Sequence, residues 1–244
     1  MKLYVLPVEK ICNASCNFCI TNFRETSNKE FLDINCLVKI LDDYSPNSIE
    51  ITGGGEPLLH RNIGDIANIC IERARTQIYT NGVLYRRVEG VRGLEFLSVS
   101  RAHYKDSINE RIMGVKYNIE DIFNLDIPIK LSLLLLKSGI SFKKEIVNYL
   151  DWAGKNNVKK VIVRQLFDHD YRGKIEGEFV STADMARSFA SHTGEENVCL
   201  KWNGMDVEFE TRSCACEFNN PVLHADGKLY KGWSREVIHD LDGS

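Results

Sequence analysis

The 244-residue chain sets 34 acidic against 31 basic side chains for a formal net charge of -3, with 43% hydrophobic and 27% charged residues. That balance excludes a disordered or fibrous composition and lacks the cationic surplus that drives sequence-independent binding to nucleic acid. Arg86-Arg87, Lys143-Lys144 and Lys159-Lys160 are short, scattered pairs that read as solvated faces. No run reaches the roughly 18 apolar residues a membrane span needs, and Met1 to Pro7 is too short in apolar residues for a signal peptide. A cytoplasmic protein with one main domain and neither nucleic-acid nor membrane partners is therefore expected. In such a chain the eight cysteines read as metal ligands, catalytic groups or core residues rather than a disulfide framework.

Leu3 to Val8 reads as a strand, followed by a cysteine-bearing loop. Ile34, Leu37, Val38 and Leu41 repeat at helical spacing and predict a helix over Asp33 to Tyr44. Ser48 to Thr52 is a short strand running into a glycine cluster, and Ile63 to Ala74 is a helix. Strands follow at Gln77 to Tyr79 and Leu94 to Ser100, then helical stretches at Asp106 to Met113 and Ile119 to Leu125, on either side of Gly114. Ile129 to Leu136 is strand-like, Phe142 to Lys155 helical and Val158 to Gln165 strand-like. This alternation predicts parallel βαβ units with right-handed crossovers. A full eight-unit barrel takes about 250 residues for its repeats alone, whereas the alternation here stops near Leu166. The expected fold is α/β, a partial (β/α)6 TIM-type barrel over residues 1–166, with a C-terminal extension over 167–244 packing on it. That extension holds a helical stretch (Thr182 to Ser191), an extended segment (Val198 to Glu210) and a hairpin-like Leu223 to Tyr230 with Asp226-Gly227 as its turn.

Cys12, Cys16 and Cys19 are spaced C-x3-C-x2-C directly after the first strand. Three thiolates on one tight loop can surround a single cluster, and thiolates suit both iron–sulfur clusters and zinc. A structural zinc site wants four protein ligands, whereas three cysteines on a cubane leave one iron open. Zinc with a distant fourth ligand, in a non-catalytic zinc or iron–sulfur binding protein, stays as the competing reading.

With Phe18 just before the third cysteine, the loop resembles that of the radical S-adenosylmethionine (SAM) superfamily. The resemblance implies a [4Fe-4S] cluster on Cys12, Cys16 and Cys19, with SAM chelated by the open iron and cleaved to a 5′-deoxyadenosyl radical. It is joined by Gly54-Gly55-Glu56-Pro57, which matches the family's GGEP segment for the SAM amino group, and by Thr80-Asn81-Gly82, which matches a segment lining the SAM site. Glycines let backbone approach a ligand closely, and ligands of such barrels sit at the C-terminal ends of strands. By that placement Phe18, Gly54, Gly55, Glu56, Pro57, Thr80, Asn81, Ser98, Ser100, Ser132, Arg164 and Gln165 form the expected cofactor-binding set, and Arg101 and His103 the candidate catalytic pair. For Thr80, Asn81 and the residues at the later strand ends, each taken alone, a capping serine or a surface arginine is the competing reading.

Cys36 and Cys70 sit among apolar helix residues and read as core. Cys199, Cys214 and Cys216 stand where relatives carry auxiliary clusters, but Lys231-Gly232-Trp233 follows the hairpin where the closing cysteine would be, which weighs against an auxiliary cluster. Trp202, Trp233, Lys231 and Arg235 are candidates to cover the barrel's open side. The resemblance implies a flavodoxin- or ferredoxin-type reductant and hydrogen abstraction from a substrate. The short extension favours a small molecule of nucleotide or sugar type over a peptide or a glycyl-radical protein.

Overall fold

The computed structural model describes residues 1–19, 30–166, 175–189, 197–210, 220–233 and 236–239. In chain order its elements begin with β1 (Lys2–Val5), β2 (Val8–Glu9), β3 (Glu30–Phe31), α1 (Ile34–Asp43), β4 (Ser48–Ile51), α2 (Ile63–Arg73) and β5 (Arg75–Thr80). They continue with β6 (Phe96–Ser100), α3 (Asp106–Met113), α4 (Ile119–Phe123), β7 (Ile129–Leu134), α5 (Lys143–Lys155) and β8 (Lys160–Arg164). The last are α6 (Thr182–Arg187), β9 (Val198–Trp202), β10 (Met205–Phe209), β11 (Val222–Leu223), β12 (Leu229–Tyr230) and β13 (Val237–His239). The fold is α/β with a mostly parallel, open sheet, as the partial-barrel expectation requires. The chain forms two compact units, one of residues 1–13, 24–97 and 216–244, the other of 14–23 and 98–215.

In the first unit β1 runs parallel to β4, with Tyr4 opposite Glu50, and β4 runs parallel to β5, with Ile51 opposite Ile78. Leu3, Val5, Ile49, Ile51 and Ile78 are buried, the near-continuous apolar pattern of strands covered on both faces. The helices bury their predicted stripes: Leu37, Ile40 and Leu41 on α1, and Ile63, Ile66, Ala67 and Cys70 on α2. Asp33 caps α1 by accepting from the Asn35 amide at 2.9 Å. The single strand expected over Leu3 to Val8 is two. Pro7 has no N–H to give a ladder, β1 stops at Val5, and Val8–Glu9 pairs instead with Glu30–Phe31. On its other side β1 pairs in parallel with β11, whose hairpin with β12 is followed by β13.

In the second unit β7, β8 and β10 are parallel. Leu131, Leu133, Val161, Val163, Val207 and Phe209 fill the buried face. Lys130, Ser132, Lys160, Arg164, Asp206 and Glu208 alternate onto the other. The segment expected to be one extended stretch, Val198 to Glu210, is a hairpin: Asn203 (φ 48°) and Gly204 (φ 84°) both take positive φ and turn β9 back onto β10. Asn-Gly is the pair such a turn favours. Among the described residues no helix is long and apolar enough to cross a membrane.

Candidate cluster and cofactor site

Within the first unit the approach to the cysteine loop is seated on the glycine turn. Lys10 N donates to Gly54 O at 3.0 Å and Glu56 N donates to Ile11 O at 2.9 Å, so the residues just before Cys12 are bonded to the backbone after β4. Gly55 has to lack a side chain here: a Cβ would lie 3.0 Å from the Ile11 carbonyl carbon, 3.1 Å from its nitrogen and closer still to its oxygen. At Gly54 a Cβ would meet Glu9 Cγ at 3.3 Å.

Glu56 ties this turn to the end of β5. Its carboxylate, 2% exposed, accepts from Leu58 N (3.1 Å) and Thr80 Oγ1 (2.6 Å) on one oxygen and from Asn81 N (2.8 Å) on the other. Burial nevertheless outweighs these three donors and holds its pKa above the usual carboxylate value. Pro57 opens the short 3-10 turn that follows, where a missing N–H costs nothing. Asn81 then reaches the cysteine loop itself, its Nδ2 donating to Asn13 Oδ1 at 2.7 Å and lying 3.8 Å from Cys12 Sγ. Thus Cys12, the glycine turn and the Thr80-Asn81 pair, far apart in sequence, are one bonded assembly. Both ends of Glu56 serve the chain's own amides and hydroxyl, so what the turn offers a ligand is backbone.

In the second unit Ser15 N donates to Met113 O at 3.2 Å, and Cys16 Sγ lies 3.4 Å from that oxygen and 3.8 Å from Met113 Sδ. Gly114, with φ 67°, leaves room for Ser15. Cys19 N closes a turn onto Cys16 O at 3.1 Å, and Phe18 is half-buried. Cys12, Cys16 and Cys19 carry no disulfide.

The expected residues of later strands behave differently. Arg101, 1% exposed, has its guanidinium against Asp106 and the Tyr104 carbonyl, with the Tyr117 and Trp152 rings 5.6 and 5.7 Å away. Its backbone bonds Ser132 O, and its own carbonyl accepts from Tyr149 Oη at 3.0 Å. His103 is buried against Tyr104, Nδ1 accepting from Lys105 N at 2.9 Å, and burial lowers its pKa. Arg164 forms a two-pronged pair with Glu210 (2.8 and 2.9 Å). Gln165 Oε1 accepts from the Thr182 amide and hydroxyl at the start of α6. Ser98 is fully buried, with no partner for Oγ among the described residues, while Ser100 and Ser132 are half-buried. Cys199 is exposed on β9, and Trp233 packs on Tyr4 with ring centres 5.5 Å apart. Trp202 Nε1 donates to Asp151 at 2.8 Å, and Lys231 pairs with Glu236 at 3.6 Å. Cys214, Cys216 and Arg235 lie outside the described residues.

Sequence reasoning passed over Glu9 and His224. Glu9 is 2% exposed, accepts from Ala225 N at 3.2 Å and faces His224 Nδ1 at 3.0 Å. A carboxylate at a buried strand position was the available signal, since buried charges are almost always paired.

A cysteine loop thus follows the first strand of an open, mostly parallel sheet, and the backbone just before Cys12 is bonded to the glycine turn after β4. A profile of the radical SAM superfamily matches residues 6–125, so the chain carries a radical SAM domain. A search of curated proteins by sequence returned no match. Among solved structures, Streptococcus suis SuiB bound to S-adenosylmethionine is 16% identical with a TM-score of 0.70, over 98% of this chain and 64% of that one. SuiB bound to the precursor peptide SuiA is 16% identical with a TM-score of 0.68, over 93% and 58%. The hydrogenase maturase HydG from Carboxydothermus hydrogenoformans is 15% identical with a TM-score of 0.52, over 69% and 45%. The chain therefore spans less than two thirds of SuiB's length.

The superfamily implies a [4Fe-4S] cluster and SAM. The donor set fits: three thiols fall within eight residues of sequence, and the first of them, Cys12, follows backbone that is bonded to the glycine turn. Among the described residues no three His, Cys, Asp or Glu side chains converge on a single-ion position, and a cubane, which takes one thiolate per iron, asks for no such convergence.

Proposed function

We propose that this chain cleaves SAM reductively and uses the resulting radical to abstract hydrogen from a substrate. The observation that carries this reading is the bonded assembly of Cys12, Gly54 to Glu56 and Asn81, because it joins the cluster loop to the backbone that would hold the methionine end of SAM. When bound, the cluster supplies the electron that breaks the sulfonium C–S bond. The chain's own part is to hold Cys12, Cys16 and Cys19 as thiolates on one loop, to present amide and carbonyl groups at Gly54 and Gly55, and to keep Asn81 against the loop. The three thiolates leave one iron for SAM. A flavodoxin- or ferredoxin-type protein is the reductant in this reading.

For the substrate we take a small molecule, since the chain after residue 166 supplies short strands and hairpins to both units. A peptide substrate is the second reading, favoured by the likeness to SuiB bound to its precursor peptide over 93% of this chain. Anaerobic reconstitution followed by dithionite and SAM tests the activity. Equal amounts of 5′-deoxyadenosine and methionine are expected, with loss of both in Cys12→Ala. Zinc in place of iron, or an iron–sulfur protein that leaves SAM intact, would refute it.

A further inference from the structure

His224 follows β11, which runs parallel to β1, so it lies at the same strand ends of the first unit as the Cys12 loop and the glycine turn. Its hairpin is rigidly built. His224 N donates to Lys228 O (3.1 Å), Lys228 N to Asp226 Oδ1 (3.0 Å) and Tyr230 Oη to Asp226 Oδ2 (2.6 Å), and the Tyr230 ring stands edge-on to the imidazole at 4.5 Å. Glu9, bridged to Gly54, anchors it from β2. One Glu9 oxygen takes the Ala225 amide and the other faces Nδ1. A carboxylate only accepts, so Nδ1 carries a proton, and in the neutral ring Nε2 presents its lone pair. That Nε2 is buried and has no hydrogen-bond partner among the described residues. An acceptor buried without a partner loses its hydration with nothing in return.

We propose that the Glu9–His224 pair is a substrate-recognition site, with His224 Nε2 accepting a hydrogen bond from a hydroxyl or ammonium group of the substrate. This rests on the SAM-cleaving reading and names a substrate class for the same rim. The surrounding charge selects a donor over an anion. Glu9 faces this hairpin and Asp226 belongs to it, and Glu30, on the strand paired with β2, has its pKa raised by burial and then by Asp226 and Glu9. An anionic substrate group would meet the Glu9 carboxylate that faces the imidazole.

The test is long-range 1H–15N NMR on the reconstituted, oxidised full chain labelled at histidine, with His224→Asn assigning the resonance. Asparagine places an amide donor where Nδ1 sits, so it keeps the bond to Glu9 and removes only Nε2. Its unfolding midpoint should stay near wild type. We expect the Nδ1–H tautomer, a shift of Nε2 on adding 2-amino-1,3-propanediol, no comparable shift with malonate, and a mixed tautomer in Glu9→Gln. A bare Nδ1, no response to the amino-diol, or a response to malonate as large, would overturn the proposal. SAM cleavage by the wild-type enzyme is scored separately: its absence would remove the parent reading while leaving the His224 result intact.

Discussion

Gly55→Ala probes how the cysteine loop is seated. The new methyl would stand 3.0 and 3.1 Å from Ile11 backbone carbon and nitrogen and still nearer the oxygen that accepts from Glu56 N, and all of these atoms are main chain. Ile11 has to move away. Leaving the Glu56 amide without its acceptor costs about 1–3 kcal/mol and the residual crowding about 1–3 kcal/mol more. Alanine's smaller unfolded-state entropy offsets about 0.4–1 kcal/mol. A net loss of about 2–4 kcal/mol lowers the unfolding midpoint by on the order of 10 °C for a chain of this size. Gly54→Ala is the comparison, because its Cβ meets only the Glu9 side chain at 3.3 Å. A shift of no more than about 1 kcal/mol is expected there, as for a minor overpacking. Circular dichroism melting reads the stability, and iron and sulfide per chain after reconstitution read the loop. If Gly55→Ala melts with wild type and keeps its iron, the seat on Ile11 is not what orders Cys12.

His60 is 3% exposed, with Nε2 on Leu32 O (2.9 Å) and Nδ1 accepting from Asn62 N (3.2 Å), and burial lowers its pKa as it does that of His103. Folding therefore favours both neutral rings, and their contribution is complete above the ordinary histidine value of about 6.5 and lost as pH falls through the lower folded values. Melting midpoints should drop on acidification below that value, and drop less in a His60→Gln/His103→Gln double variant. Arg101→Leu should destabilise by about 2–4 kcal/mol in urea unfolding, since it strips a buried guanidinium from Asp106, Tyr104 O and two aromatic faces. An unchanged midpoint would mean the cation contributes nothing there. Cys199→Ser should leave reconstituted iron at about four per chain, the content of one cubane. A fall on this substitution would revive the auxiliary cluster.

Local elements were legible in the sequence because each rests on short-range signals. The stripe Leu37, Ile40, Leu41 and the Asp33 cap make α1, and Gly114 ends α3 at φ 67°. The Asn203-Gly204 turn was equally local, yet it hides in a run that reads as continuous strand. Pairings between distant segments left no such trace. Val207 beside Val161 and Leu223 beside Val5 depend on contacts that no periodicity encodes. At the site, the glycine motif announced close backbone approach, and the structure supplies the partner, Ile11. Side-chain direction was beyond reach: Arg101 lies where a rim residue would, but its guanidinium is spent between Tyr117 and Trp152. The Glu9–His224 pair spans 215 positions and could be recognised only from one end, by a charge in a buried strand.

The parallel pairing of β1 with β11 also carries a consequence for biosynthesis. The strand that leads into the cysteine loop is made more than two hundred residues before its outer neighbour, β11. Until then its Tyr4 and Leu6 amides, which end up on the Pro221 and Leu223 carbonyls, belong to an open sheet edge of the kind that recruits foreign strands. Iron delivered to a nascent or C-terminally clipped chain would meet a loop whose supporting strand is still half dressed.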